Sequence, residues 1–307
     1  MKIDTRPLIF EQLNTEHLAQ YKALTPSRYH CCFLQEDPDN IPDTSIVAIE
    51  TLVDGNPAAI LIVSLYELLH LADIHVLAIA DPFLSLNLTP ALIAALQKEL
   101  LLRKCRTLMF VYSKEMAEKL DLSKVLKELS WEGDNLFEIK ASYACQDFHP
   151  SWFEQEKAIP PGWEIFFWKD LTTKEKEKLL LRQQHFSFPR AISPFGKKEA
   201  LIEPLNSLGL RYHGEVVGWM ITHRIKPDTL LYSSLYVDQE HRASGMGIQL
   251  VRTAVKQQQS SSIPFSLFEI NVRQIDSSWL HFVKRRLLPY ALRVDYTRQA
   301  WKHFNQL

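Results

Sequence analysis

The chain carries little net charge and little glycine. Its 307 residues include 35 Lys and Arg against 36 Asp and Glu, a formal net charge of −1. A balance this close to neutrality gives no general attraction to nucleic acid or to an anionic membrane. We therefore expect neither as a partner, and any site for an anion must be built locally from a few residues.

Cysteine is also scarce, and the four cysteines of the chain form no C-x-x-C pair. Adjacent Cys31 and Cys32 are poorly placed to bridge each other. Reduced thiols are typical of the cytoplasm, where we expect this protein to be. The amino terminus lacks the apolar segment of a signal peptide, and acidic residues and histidines interrupt the apolar run at residues 58–102. The sequence therefore predicts no membrane span.

The two halves of the chain show the same order of elements. A short strand and a helix occur at residues 7–24 and again at 163–181, and a hairpin, an apolar strand and a long helix then recur at an offset of about 158 residues. This pattern favours two copies of one mixed α/β unit, residues 1–150 and 151–307, joined near the proline-rich segment 149–162. Chance is the alternative, because any chain of alternating strands and helices partly matches itself.

Two of the nine glycines, Gly245 and Gly247, lie one residue apart between an apolar strand and a helix. A helix start has unpaired N–H groups and a partial positive charge, and glycines there let an anion such as a pyrophosphate approach closely. Arg242 adds a positive charge. A dinucleotide fingerprint would need a third glycine near Leu250, and a Walker loop would need Gly-Lys-Ser/Thr, so both are excluded.

The pattern V-x-x-x-x-R-x-x-G-x-G, occupied by Val237, Arg242, Gly245 and Gly247, resembles the acetyl-CoA signature of the GNAT-type N-acetyltransferases. The resemblance covers residues 163–305 and extends in weaker form to the first half. It implies an α+β (mixed α/β) fold of two GNAT-like domains, each with a central, mostly antiparallel mixed sheet flanked by helices.

In the first half, Leu84, Asn87 and Thr89 stand where the signature has Arg242, Gly245 and Gly247. We therefore expect a degenerate first domain without a coenzyme cradle.

The resemblance also implies the activity: transfer of an acetyl group from acetyl-CoA, as cosubstrate, to a small-molecule or peptide amine. It implies that backbone groups of the strand hold the pantetheine arm, that the helix start holds the pyrophosphate, and that a basic residue meets the 3′-phosphate. No metal is expected. The residues implied in coenzyme binding are Leu235, Tyr236, Val237, Arg242, Ala243, Ser244, Gly245, Met246, Gly247, Ile248 and Lys284. For Lys284, which lies in a basic run, a solvated helix face is the alternative.

Proton transfer needs side chains, and several candidates stay open. A base or a water chain must take a proton from the attacking amine. The candidates for the base are Glu269, His223, Asp228 and Tyr232, and for each a solvated or structurally paired group is the alternative. His281 or water is the candidate for protonating the leaving thiolate. The family commonly has a tyrosine that protonates the leaving thiolate, and Phe282 stands at that position. This departure supports an alternative, a catalytically inactive acyl-CoA-binding regulatory or interaction protein.

Two segments are predicted to form surfaces. The loop at residues 185–196, with Phe186, Phe188 and Arg190, is expected to contact the acceptor, and hydrophobic packing is the alternative for the phenylalanines. The apolar run at residues 58–102 is expected to bury a surface between the halves or between chains, and a local core is the alternative. We expect a monomer or a homodimer.

Overall fold

A computed structural model describes residues 1–154, 158–185, 188, 192–196, 199–275 and 277–304. The chain divides into two compact units. The first comprises Met1–Phe137 and Tyr296–Leu307, and the second comprises Glu138–Asp295. Helix starts follow ordinary capping chemistry: Thr172 and Glu175 form a capping box, and Asn14 caps the first helix. Among the described helices, none is long and apolar enough to cross a membrane.

The first unit contains a mixed sheet with helices packed on it. Its strands lie in the order β1-β2-β3-β4-β5-β12. The elements are β1 (Ile3–Pro7), α1 (Thr15–Leu24), β2 (Thr44–Val53), β3 (Asn56–Tyr66), β4 (Leu71–Ile79), α2 (Thr89–Leu102), β5 (Thr107–Ser113), α3 (Lys114–Lys119), α4 (Leu122–Glu128) and the last strand of the chain, β12 (Arg293–His303).

The second unit contains a sheet of the same design. Its strands lie in the order β6-β11-β10-β9-β8-β7. The elements are β6 (Glu132–Ala144), α5 (Ser151–Glu154), β7 (Trp163–Phe167), α6 (Thr173–Gln184), β8 (Leu208–Tyr212), β9 (Glu215–Lys226), β10 (Thr229–Val237), α7 (Met246–Gln259), β11 (Phe265–Asn271) and α8 (Ser277–Phe282).

The units and the predicted domains differ in their bounds because each half of the chain supplies a strand to the other unit. Strand β12, from the end of the chain, pairs antiparallel with β5 of the first unit. Strand β6, from the first half, pairs antiparallel with β11 of the second unit from Glu138 onward. The chain therefore passes between units near residues 137 and 295, whereas the sequence predicted one boundary near residue 150.

The internal repeat is visible in the strand register. In the first unit, β4 and β5 pair in parallel from Leu71 with Thr107 to Ile74 with Phe110. In the second unit, β10 and β11 pair in parallel from Thr229 with Phe265 to Tyr232 with Phe268. Each of these parallel pairs ends beside a register shift against the preceding strand, at His75 and at Ser233. The same arrangement thus occurs twice.

The apolar run at residues 58–102 forms a local core. Most of its buried side chains pack with residues of β2, β5 and α4 in one cluster of the first unit, and Ile60, Ile62 and Val76 pack with residues of α1 and β2 in a second cluster of the same unit. The local-core alternative therefore accounts for most of this run. The second unit has its own cluster, which includes Trp168, Trp219 and Tyr236. All four cysteines are free thiols, and a cytoplasmic location stays a prediction.

Candidate functional site

Strands β10 and β11 separate partway along their length. Their parallel pairing ends at Tyr232 with Phe268. Beyond that point β10 stays paired with β9, up to the pair Val237 and Gly218. Strand β11 stays paired with β6, up to the pair Asn271 and Glu138. A gap therefore opens between two strands that are each supported on their other edge.

The backbone of β10 offers polar groups to this gap. The Asp238 N–H donates to the Val217 carbonyl at 2.8 Å, which fixes the alternation of this antiparallel pair. Residues at odd steps from Asp238, namely Leu235 and Val237, therefore direct their N–H and C=O groups away from β9 and toward the gap. The Val237 carbonyl accepts a hydrogen bond from Arg242 Nε at 3.2 Å.

Helix α7 begins beside the end of β10. Its N-cap residue, Gly245, has φ +78° and gives no side-chain cap. The Met246 N–H donates to Ser244 Oγ at 3.2 Å. The left-handed backbone explains Gly245 by itself. Gly247 differs, because a Cβ built there would only touch Val237 Cγ2 at 3.5 Å, an ordinary contact. The folding of this chain does not require glycine at residue 247, which is consistent with space kept for a ligand.

The residues around this helix start are accessible. Arg242, Ala243, Ser244, Gly245 and Ile248 are exposed, and Met246 is buried under the helix. Tyr236 packs against Trp219 with ring centroids 4.6 Å apart, so its side chain belongs to the core. Lys284 is exposed in a π-helical turn, Val283–Leu287, and none of the described contacts joins it to α7.

A polar cavity of about 330 Å³ lies on one face of the gap. Two neighbouring residues of β10, Ser233 and Ser234, both face it. Neighbours on a regular strand point to opposite faces, and the register shift between Tyr232 and Ser234 is the bulge that makes this possible. The cavity is lined by Ser193, Pro194, Phe195, Gly196, Glu199, Ile221, His223, Leu231, Ser233, Ser234 and Glu269.

His223 is held at the wall of this cavity by Ser233. The Ser233 hydroxyl donates to the Ile221 carbonyl at 3.0 Å, so it accepts the hydrogen bond that joins it to His223 Nδ1 at 2.7 Å. The neutral imidazole therefore carries its proton on Nδ1, and Nε2 is its acceptor nitrogen. His223 is 8% exposed.

Glu269 approaches the same cavity from β11. Its carboxylate lies 3.1 Å from Lys140 Nζ, and Lys140 also lies 3.4 Å from Glu138. Glu269 and Lys140 are directly opposite each other in the β11–β6 register. The structure therefore brings two of the predicted catalytic candidates, Glu269 and His223, to one cavity.

An apolar cavity of about 60 Å³ lies on the other face, beneath α7. It reaches the point where the strands separate, since Leu235 and Phe268 line it. Its lining is almost entirely carbon: Tyr143, Cys145, Phe148, Met220, Tyr232, Leu235, Val251, Val255, Ser266, Leu267, Phe268, Trp279 and Leu287.

Three candidates lie away from the polar cavity. The Tyr232 hydroxyl is buried, donates to Gln258 Oε1 at 2.8 Å and accepts from Asn206 Nδ2 at 3.2 Å, and burial raises its pKa well above the ordinary value. Asp228 is exposed in the turn before β10, about 16 Å along the strand from Ser233. His281, the candidate for protonating the leaving thiolate, is exposed on α8. A base at the cavity is therefore better sought in Glu269 or His223.

The loop at residues 185–196 is only partly described. Phe186 and Arg190 lie outside the described residues, and Phe188 is 2% exposed and packs on Trp219, so packing accounts for Phe188. Sequence reasoning missed Ser193, Glu199, Ser233 and Ser234 in the cavity. The bulge that turns the two serines inward leaves no mark in the apolar pattern of β10.

Phe282 occupies the predicted tyrosine position and has aromatic neighbours. It stacks on Trp279 at 5.1 Å between centroids and meets Trp152 edge-on at 5.8 Å. The Trp152 indole N–H donates to the Arg286 carbonyl at 3.2 Å. The ring belongs to an aromatic cluster and offers no proton.

Comparison with solved structures identifies the fold. The chain aligns over its full length with the full length of a tandem GNAT protein from the clavulanic acid biosynthesis pathway, at 11% identity and a TM-score of 0.58. It also aligns over 98% of its length with 95% of a GCN5-related N-acetyltransferase from Sphaerobacter thermophilus, at 12% identity and a TM-score of 0.56.

A third structure is a glucosamine N-acetyltransferase region of a fungal multi-domain GH3 β-N-acetylglucosaminidase. Here 99% of this chain aligns with 38% of that one, at 12% identity and a TM-score of 0.57. No protein-family profile and no curated protein matches the sequence. The predicted fold, a tandem of two GNAT-like units of mixed α/β structure, is confirmed.

Proposed function

We propose that this protein is an N-acyltransferase that binds an acyl-CoA, in the simplest case acetyl-CoA, in its second unit and transfers the acyl group to an amine. The observation that carries this proposal is the separation of β10 from β11 directly beside the glycine-containing start of α7. The gap offers backbone groups to a thioester arm, and the helix start offers N–H groups to a diphosphate.

The residues present fit the coenzyme. The N–H groups of Leu235 and Val237 point toward the gap, where they can bond the pantetheine arm and polarise the thioester carbonyl. Residues 242–248 supply an exposed helix start, and Arg242 supplies charge. The missing Cβ of Gly247 leaves room that the protein's own packing does not use.

The polar cavity suits an amine acceptor. An attacking amine must lose a proton, and Glu269 and His223 both line the cavity from which it would attack. A volume of about 330 Å³ lies at the small end of ligand sites, which favours a small polar amine over a folded protein. Amino sugars are the first acceptors to try, since one structural neighbour is a glucosamine N-acetyltransferase region.

The first unit is proposed to bind no coenzyme. Asn87, in the left-handed conformation with φ 49°, occupies the position of Gly245. Leu84 replaces Arg242 and packs against the core, and Thr89 at the start of α2 is 2% exposed. This helix start therefore lacks the basic side chain and the open glycine.

Titration calorimetry with acetyl-CoA tests both points. We expect one molecule bound per chain, and binding that is lost in Arg242→Ala combined with Gly247→Val. A stoichiometry of two would show that the first unit binds coenzyme, and no binding of acetyl-CoA or CoA would overturn the proposal. A matched double variant in the first unit, Leu84→Ala with Thr89→Val, should keep the stoichiometry of one.

A second candidate function is an acyl-CoA-binding regulatory protein without catalysis. Phe282 supports it, because neither this ring nor the two rings it contacts, Trp152 and Trp279, carries a phenol that could protonate a thiolate. Turnover separates the two functions. Transfer to any member of a panel of amines and amino sugars favours the enzyme, whereas tight binding without transfer or thioester hydrolysis favours the binding protein.

A further inference from the structure

The apolar cavity beneath α7 begins where an acyl group would lie. It reaches the gap at Leu235 and Phe268, and it extends inward past Ser266 to Tyr143 and Cys145. The polar cavity meets the same point of the sheet from the other face, through Ser234 and Glu269. A thioester held in the gap would therefore have the acceptor on one side and an apolar space on the other.

This space exceeds what an acetyl group requires. A cavity needs about 10–15 Å³ to hold one water molecule. A cavity of about 60 Å³ therefore has room for roughly four groups of that size, such as methylene groups. An acetyl group has only a methyl beyond its carbonyl carbon. The nearly complete absence of polar lining also excludes a charged acyl group, because burying a charge without a partner is very unfavourable.

We propose that the acyl group this protein prefers is a saturated chain of roughly four to six carbons, held in the apolar cavity between α7, β10 and β11. The proposal rests on the proposed function and specifies its acyl donor. In the reaction, the amine nitrogen bonds to the acyl carbon and the carbon–sulfur bond breaks. The sulfur takes the bonding electron pair, and the proton lost by the amine goes to a base at the polar cavity.

The first test needs no acceptor. Calorimetry on the full chain would compare acetyl-, butyryl-, hexanoyl- and decanoyl-CoA. Each buried methylene contributes about 0.8 kcal/mol, so the dissociation constant should fall about fourfold per added methylene up to the limit of the cavity and then stop falling or rise. Equal affinity for all chain lengths would overturn the inference while leaving the proposed function standing. No binding of any acyl-CoA or of CoA would overturn the proposed function.

The second test fills the cavity. Val251 and Val255 line it from α7, and Val251→Met and Val255→Met should each bring the ratio of the acetyl and hexanoyl dissociation constants to about one. Thr253→Met is the matched control, since Thr253 is a β-branched residue of the same helix that is absent from the cavity lining. It should keep the wild-type ratio.

Two valine variants are used so that the test still stands if one of them does not fold. Circular dichroism would reveal an unfolded variant. A folded Val251→Met or Val255→Met protein that keeps the full chain-length dependence would also contradict the placement of the acyl chain.

Discussion

Phe268 and Glu269 are consecutive residues of β11, and their side chains line two different cavities on opposite faces of the sheet. Phe268 is the last residue that β11 pairs with β10, and Glu269 is the first beyond the pairing. The apolar space and the carboxylate therefore meet at the point where the strands separate.

Glu269→Gln should reduce turnover strongly. If Glu269 takes the proton of the attacking amine, the amide cannot replace it, and kcat should fall about 10²–10⁴-fold. Coenzyme affinity should be little changed, because residue 269 faces the polar cavity. Asp228→Asn, the same chemical change at an exposed turn, should leave kcat near wild type. Steady-state kinetics and calorimetry measure both, and an unchanged kcat in Glu269→Gln would shift the role to His223.

Gly247→Ala should separate coenzyme binding from stability. Replacing a helical glycine by alanine stabilises a helix by about 0.5–1 kcal/mol, and the new Cβ meets only Val237 at 3.5 Å. The melting temperature should hold or rise, while acetyl-CoA affinity should fall tenfold or more through loss of close backbone contact. Wild-type affinity would show that the helix start does not contact the coenzyme.

Gly245→Ala gives the contrasting result. Its φ of +78° strains any L-residue, so stability should fall by about 1 kcal/mol even though a Cβ would meet nothing within 4 Å. Thermal or urea unfolding measures this difference. A Gly245→Ala variant as stable as Gly247→Ala would contradict the distinction drawn between the two glycines.

Two buried tyrosines of the second unit should respond in opposite ways to loss of their hydroxyls. The Tyr143 hydroxyl is buried and finds no hydrogen-bond partner among the described residues. Tyr143→Phe should therefore raise the free energy of unfolding by about 1 kcal/mol. Tyr232 is bonded to Gln258 and Asn206, and Tyr232→Phe should lower it by about 1–3 kcal/mol. Urea unfolding measures both, and the same sign for the two variants would contradict the hydrogen bonding described.

Asp73 should make the stability of the first unit depend on pH. Burial raises its pKa to about 6, with smaller contributions from Asp39 and Asp37, against a hydrogen bond from Tyr66. The folded protein therefore binds the proton more tightly than the unfolded chain, whose Asp pKa is about 3.8. The Asp73 contribution to stability should fall as pH rises from about 4 to about 6 and level off above that range.

Asp73→Asn removes this dependence. The variant should resemble wild type at pH 4 and be more stable at pH 8, by up to about 2 kcal/mol. Exposed Asp121→Asn is the control and should change stability little at either pH. A destabilised Asp73→Asn protein at pH 8 would show that the carboxylate is favourably held in the folded state.

The sequence by itself determined the repeat and the helix-start motif. Both are local: Val237, Arg242, Gly245 and Gly247 are close neighbours in the chain, and backbone conformation follows directly from residues such as glycine. The same reasoning named Glu269 and His223, although among other candidates. The apolar run at residues 58–102 is evident in the sequence. Apolar composition alone cannot show whether such a run fills a local core or an interface, because both bury the same residue types.

Only the tertiary structure decided which strands complete each unit and which side chains share a cavity. Antiparallel pairing requires hydrogen bonds that any strand can supply, so β6 and β12 carry no mark of the unit they join. The cavity depends on a bulge at Ser233 that reverses the alternation of faces along β10. Since one extra residue moves every later side chain to the other face, the pattern of apolar residues could not place Ser234 beside Glu269.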